Sequence, residues 1–352
     1  MARNTFAVGL VGVTGYTGME MLRCLLHHPD FELTIVTSRQ EAGKSVARLF
    51  PQLAGTHLGQ LTISEPDMDR LAADCDLVFL AVPHGTAMRM AAELIQRGVK
   101  VVDLSADFRL KSQDVFEQWY NCRHEAPDLL QGAVYGLPEL YATEIAQARL
   151  VANPGCYPTS VLLGLFPALQ AGLVHSRDIV ADSKSGASGA GRGAKVGTLF
   201  CEVSDTFKAY GLGTHRHTPE IDQEVSRMTG QTVQVSFNPH LLPINRGILT
   251  TLYTTASGHT TLEGLCQAYE DFDRDHPWIR VQPQGTLPEL KNVRGTMYCD
   301  IGLVLDQRTG RVIIVSVIDN LCRGASGQAL ANANLMCGLP LTAGLDLPAL
   351  VP

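Results

Sequence analysis

Residues 6–29, FAVGLVGVTGYTGMEMLRCLLHHP, run from an unbroken apolar stretch through closely spaced glycines into a helical pattern. A run such as Phe6–Gly12 (FAVGLVG) suits a strand buried on both faces, and strands are buried that way chiefly in parallel sheets covered by helices. The motif recurs. Glu32–Ser38 (ELTIVTS), Asp76–Pro83 (DLVFLAVP), Lys100–Ser105 (KVVDLS) and Arg149–Gly155 (RLVANPG) are further apolar runs, and Thr86–Arg97 carries a helical period. Right-handed crossovers turn such a series into an α/β doubly wound sheet of the Rossmann type.

The texture changes after Cys156. DIVADSKSG, QTVQVSFNPHL, GILTTLYTTAS, MYCDIGLVLD and RVIIVSVIDN are longer strand-like runs, with a helical pattern in TTLEGLCQAYEDFDRD. They predict a second α+β domain with a mixed or antiparallel sheet. A last helix within Gly324–Leu339 returns to cap the first domain. The division expected is 1–155 plus 327–352 for the doubly wound domain and 156–326 for the second.

Composition narrows the function. A chain of 352 residues with 45% hydrophobic and 18% charged residues is globular and long enough for about two domains. The net charge of -7, without basic clusters, disfavours nucleic acid and anionic membranes as partners. No apolar run approaches the roughly 20 residues that span a bilayer. The opening MARNTFAVGLVG lacks a secretory pattern and runs straight into a strand, so no leader is expected. Nine cysteines without a CxxC pair suggest reduced thiols and a cytoplasmic protein.

Gly12, Gly15 and Gly18 fall where the first strand turns into a helix, the place at which helix amides hold a pyrophosphate. The literal G-x-G-x-x-G pattern is not met, and tight turns are the bland alternative. The end of the second strand carries Ser38 and Arg39 in place of the acid that reads an NAD ribose. A hydroxyl and a cation suit a 2′-phosphate, which favours NADP(H).

VANPGCYPTS, residues 151–160, places Cys156 between two prolines on a strand-to-helix corner. A lone cysteine is usually a small core residue. A rigid corner at a helix N-terminus is instead a setting for a nucleophile, because a thiolate is favoured there. His215 and His217 in THRHTPEI are both candidate bases, and local chemistry alone does not separate them. Ser185–Arg192 (SGASGAGR) offers amides, hydroxyls and a cation to a substrate, or is a flexible connector. No carboxylate–histidine cluster has ligand spacing, so no metal is expected.

In order, GVTGYTGMEML, VPHG, DLSADFRL, VYGLPEL, NPGCYPT, SGASGAGR, HRHTPEI and DNLCRGASGQA span nearly the whole chain. Together they resemble the N-acetyl-γ-glutamyl-phosphate reductase family of arginine biosynthesis, and more widely the aspartate-semialdehyde dehydrogenase and glyceraldehyde-phosphate dehydrogenase group. The resemblance implies an NADPH-dependent acyl-phosphate reductase that works through a thioester, with Cys156 as nucleophile and His217 as general base. It implies a cofactor site of Gly12, Gly15, Tyr16, Thr17, Gly18, Ser38, Arg39, Pro83, His84, Gly85, Ser105 and Asn320. For the substrate it implies Arg109 on the acyl phosphate, with Asn153, Ser185, Gly186, Ser188, Arg192 and Glu220. The second domain would also carry dimerisation, giving a homodimer or homotetramer acting on a small molecule. Where the family often has KGAAGQ, this chain has Arg323-Gly324-Ala325-Ser326. A sibling reductase of N-acetyl-α-aminoadipyl phosphate would use the same machinery on a substrate one methylene longer, a difference worth only about 1–3 kcal/mol. A dead cofactor-binding scaffold would be expected to lose the cysteine or the base, and both are present.

Overall fold

The computed structural model describes residues 5–351. The chain divides into two compact units: residues up to Pro154 with Ala325–Asp346, and Gly155–Gly324 with the residues from Leu347 onward. The last residues thus differ from the sequence-based division. They belong with the second unit, where the Leu350 N–H donates to the Arg294 carbonyl at 2.9 Å. Met1–Asn4 and Pro352, assigned above to the first domain, lie outside the described residues.

In the first unit the strands are β1 (Phe6–Val11), β2 (Phe31–Thr37), β3 (Leu77–Leu80), β4 (Lys100–Asp103), β5 (Val134–Tyr135) and β6 (Leu150–Ala152). Among the described residues they form one parallel sheet in the order β2-β1-β3-β4-β6-β5. Its helices are α1 (Tyr16–Leu25), α2 (Val46–Leu49), α3 (Met68–Asp74), α4 (Ala87–Gln96), α5 (Gln113–Tyr120) and α6 (Pro138–Gln147). Side-chain caps start several of them: Asp67 accepts from the Asp69 and Arg70 amides, and Ser112 from that of Val115. The LVFL of β3 is wholly buried, and its Val78 and Leu80, with Val101 of β4, pack with Met88, Ala91 and Leu94 of α4 in one core. The strand order reverses direction between β1 and β3, and ligands bind outside the carboxyl ends of strands at such a switch point. The closing helix, Gly327–Met336, packs on this unit, where Gln328 and Asn332 both donate to the Gly136 carbonyl, at 2.6 and 2.9 Å.

The second unit carries β7 (Val180–Gly186), β8 (Lys208–Ala209), β9 (Ser236–Leu242), β10 (Ile248–Thr255), β11 (Ile279–Val281), β12 (Cys299–Asp306) and β13 (Arg311–Ile318). Their order is β11-β12-β13-β10-β7-β9-β8, and parallel β7–β9 and β11–β12 pairs among antiparallel ones make the sheet mixed. Helices α7 (Cys156–Gln170), α8 (Phe200–Val203), α9 (Thr218–Thr229) and α10 (Leu262–Asp275) complete it, and the closing helix of the first unit is α11. Helix α7 is apolar on nearly every side and lies on the sheet beneath α9 and α10. Glycine at 164 permits this approach, since a Cβ there would meet Leu252 at 2.6 Å. Strand β10 alternates, with Ile248, Thr250, Leu252 and Thr254 buried and the residues between them half-buried. Residues 231–235, expected in a strand, precede β9 because α9 takes their backbone donors: Ser226 Oγ accepts from Val233 at 2.9 Å and Asp222 from Val235 at 2.8 Å. Among the described residues no helix is long and apolar enough to cross a membrane.

Candidate active site

The three glycines of the first corner perform three different jobs. Gly12 has φ +92, and a Cβ there would sit 2.3 Å from the Ala81 carbonyl oxygen, so the turn itself requires glycine. Gly15 is the N-cap of α1, and a Cβ there would meet nothing within 4 Å; the space over the helix start is open. Gly18 packs so closely that a Cβ would lie 2.5 Å from the Val13 carbonyl. Tight turn, open approach and close helix packing are the requirements of a pyrophosphate corner. No acid occupies the first turn, where Tyr16 and Thr17 stand. The residues therefore fit a dinucleotide. Gly12→Ala is expected to cost about 1–3 kcal/mol through the forced positive φ and to lower NADPH affinity, as urea unfolding and a fluorescence titration would show.

Past β2, Ser38 is buried and its hydroxyl accepts from the Gln40 amide at 3.3 Å, while Arg39 is exposed. Beyond β3, Pro83, His84 and Gly85 are exposed, and Gly85 has φ +82. Asp107, missed by the sequence analysis, holds this turn. Its carboxylate accepts from the Gly85 amide at 2.7 Å and the Ala87 amide at 3.0 Å, and the His84 ring accepts from the Ala106 amide at 3.0 Å. Ser105 spends its hydroxyl internally, donating to Asp103 at 2.8 Å. Burial, with the Asp107 charge adding to it, pushes Asp103 up to about 7. The DLSADFRL motif is thus largely scaffold.

Arg109 is placed differently from the expectation. It is buried, its Nε donates to the Asn153 carbonyl at 2.7 Å and its Nη2 to that of Leu104 at 3.1 Å. This edge of the guanidinium anchors the Asn-Pro-Gly corner and is not presented to a phosphate. Asn153 is likewise engaged: its amide donates to Ala325 at 3.1 Å and its oxygen accepts from Asn332 at 3.1 Å.

In the second unit Cys156 is the first residue of α7, half-buried, behind an N-cap glycine with no side-chain cap. His217 is the N-cap of α9, with Pro219 in the first turn fixing the helix start. The two helix starts are joined: the Gly155 amide donates to the buried Glu220 carboxylate at 2.7 Å. Glu220, expected at the substrate, thus ties the corner before Cys156 to the first turn of α9. The ring of Tyr157 lies 5.6 Å from that of His215 and 5.9 Å from that of His217, edge-on to both. The Tyr157 hydroxyl meets that of Tyr210 at 2.9 Å. His215 accepts the His217 amide proton on Nδ1 at 3.1 Å, and burial, reinforced by the Arg216 charge, pushes its imidazole down to about 4. It is neutral near pH 7 and orients its neighbour.

The turn after β13 closes this arrangement. A Cβ on Gly324 would lie 2.6 Å from that of Cys156, so Cys156 leaves room only for the glycine of RGASGQ. Asp319 shapes the turn by accepting from Leu321, Cys322 and Gly295, and it binds Arg246 through two contacts of 2.7 and 2.9 Å. Asn320, expected at the nicotinamide, is buried; it accepts from the Gly247 amide at 2.7 Å and donates to Ser188 Oγ at 3.0 Å. Ser185 donates to the Gly186 carbonyl, and a Cβ on Gly186 would meet the 245–246 backbone at 2.8 Å. Arg192 stands exposed just beyond.

Two family models match: "Semialdehyde dehydrogenase, NAD binding domain" over residues 7–148 and "Semialdehyde dehydrogenase, dimerisation domain" over 156–320. A protein from Desulfotalea psychrophila named N-acetyl-gamma-glutamyl-phosphate reductase is 50% identical over 346 residues, covering 98% of this chain and 99% of its own. One of the same name from Alkalilimnicola ehrlichii is 52% identical over 345 residues, with 98% and 99% covered. The chain belongs to the N-acetyl-γ-glutamyl-phosphate reductase family. The chain shares its fold with solved semialdehyde dehydrogenases. Aspartate semialdehyde dehydrogenase II from Vibrio cholerae, complexed with ASA, superposes with a TM-score of 0.73 at 16% identity over 95% of this chain and 98% of that one. The Candida albicans enzyme with NADP gives 0.69 at 15%, over 97% and 99%.

Proposed function

We propose that the protein reduces N-acetyl-γ-glutamyl phosphate to N-acetylglutamate 5-semialdehyde and phosphate with NADPH, a step of arginine biosynthesis, through a thioester on Cys156. The observation that carries this is the joined pair of helix starts: Cys156 heads α7, His217 heads α9, and the Gly155–Glu220 bond ties them. The Cys156 thiolate attacks the acyl carbon and the bond to phosphate breaks, leaving the thioester. NADPH, when bound, supplies the hydride. His217 takes the thiol proton at the first step and gives it to the developing oxyanion; it takes that hydroxyl proton back as the C–S bond breaks, freeing the aldehyde and the thiolate. Amides at the start of α7 hold the oxyanion. Gly12, Gly15, Tyr16, Thr17, Gly18 and the Pro83–Gly85 turn hold the dinucleotide. Ser188 and Arg192 are the groups proposed for the substrate phosphate.

A homo-oligomer accords with the dimerisation-domain match. None of the nine cysteines is in a disulfide, which accords with a reducing, cytoplasmic setting. Incubation with N-acetylglutamate semialdehyde, phosphate and NADP, followed by NADPH absorbance, tests the reaction; turnover with the aminoadipyl homologue but not with this aldehyde would overturn the substrate. Arg39→Ala is expected to raise the KM for NADPH about tenfold or more, the loss of one charge-assisted contact, and to leave that for NADH nearly unchanged. Equal effects on both would show that Arg39 does not contact a 2′-phosphate.

A further inference from the structure

Among the described residues eleven large hydrophobic ones are exposed, and six of them fall within 17 consecutive positions: Val196, Leu199, Phe200, Phe207, Tyr210 and Leu212. Phe200 is 82% exposed and Val196 74%. Soluble monomers rarely leave so much apolar surface together, and such a patch marks a contact surface. This stretch lies between β7 and α9 and includes α8 and β8, the latter at the edge of the mixed sheet. Phe207 lies over the ring of His240 at 5.3 Å, and His240 pairs with Asp182 at 3.1 Å, so the patch continues onto the half-exposed face of β9 and β7.

We propose that a second copy of this chain seats on the 196–212 segment and, by doing so, fixes the catalytic corner. The proposal rests on the homo-oligomer reading above and says which surface makes the contact and what the contact does. Three observations choose the occupant. The whole stretch lies inside the part of the chain that matches the dimerisation domain. Exposed Lys195 and Lys208 flank exposed Glu202 and Asp205, so the patch offers both signs to a second copy of itself, as a two-fold contact requires. A membrane surface would call for a basic cluster instead. Lys208 also blunts the short β8 edge against strand addition, leaving the apolar side chains to make the contact.

The consequence for catalysis follows from Tyr210. Its ring is partly outside, while its hydroxyl meets that of Tyr157 at 2.9 Å and its ring lies 5.5 Å from that of His215. His215 accepts the His217 amide proton. A partner seated on Phe207–Leu212 thus presses Tyr210 inward onto the residue after the nucleophile and onto the imidazole that orients the base. Without the partner, the segment that carries both histidines loses its outer support.

The test compares wild type, Phe200→Asp and Leu199→Glu by sedimentation velocity, circular dichroism, kcat, and the rate of Cys156 alkylation by iodoacetamide. Both substitutions change exposed side chains, so native circular dichroism is expected. Wild type is expected to sediment as a dimer or a multiple of one. The variants are expected to dissociate at micromolar concentration, to lose at least tenfold in kcat, and to show slower alkylation at neutral pH. A monomeric wild type overturns the oligomer reading and the proposal with it. Variants that keep the wild-type mass overturn this surface alone. Monomeric variants with full kcat overturn the coupling to catalysis.

Discussion

Cys156→Ser is expected to abolish turnover, by roughly 10³-fold or more, while NADPH binding and stability stay close to wild type. The side chains differ by one atom, and Gly324 packs against the Cβ of Cys156, which serine retains. The fold should therefore accept the change. What is lost is a thiolate that attacks near neutral pH and later leaves readily. A fluorescence titration with NADPH separates this from a folding defect. Substantial turnover in the serine variant would end the covalent account.

His217→Asn should lower kcat by about 10² to 10⁴, the usual worth of a general acid–base group. It should also slow alkylation of Cys156 at pH 7, since an imidazole partner favours the thiolate. His215→Asn should cost much less. An asparagine oxygen can still accept the His217 amide proton that His215 Nδ1 now accepts. The two are also separable by pH. His215 titrates near 4, its imidazole being held neutral by burial and by the Arg216 charge. It stays neutral from about pH 5 to 8, so an inflection in that window does not come from His215. If His215→Asn moves that inflection and His217→Asn does not, the two roles are reversed.

The fold was legible because its signals are local. Continuous apolar runs and glycine corners reveal parallel strands and the turn at Gly12 without knowledge of what packs on them. Residues 231–235 misled because Ser226 and Asp222 on α9 claim their backbone donors, a tertiary event that strand periodicity does not encode. The corner at Cys156 was legible as a helix start, because two prolines and a glycine define it. It was less legible wherever a polar residue could serve either substrate or scaffold. Arg109, Ser105, Asn153, Glu220 and Asn320 carry ligand-type groups, yet their partners are carbonyls, amides and carboxylates of the protein. Charge and hydrogen-bonding capacity are visible in a residue type; which partner uses them is decided by burial. Asp107 went unnoticed because acceptance from two amides of a turn some twenty residues away leaves no mark in the sequence.

The central claim, a thioester formed at Cys156 and turned over by this chain, is tested most directly by a burst experiment without phosphate. Enzyme at known active-site concentration is mixed with N-acetylglutamate semialdehyde and NADP, and NADPH absorbance is followed through the first turnover. With no phosphate to release the acyl group, NADPH should appear rapidly in an amount equal to the active sites and then nearly stop. Intact-protein mass spectrometry should find the N-acetylglutamyl adduct on Cys156. Adding phosphate should restore turnover, and the serine variant should give no burst. Steady NADPH formation at the full rate without phosphate and without an adduct, or an undiminished burst in Cys156→Ser, would contradict the account.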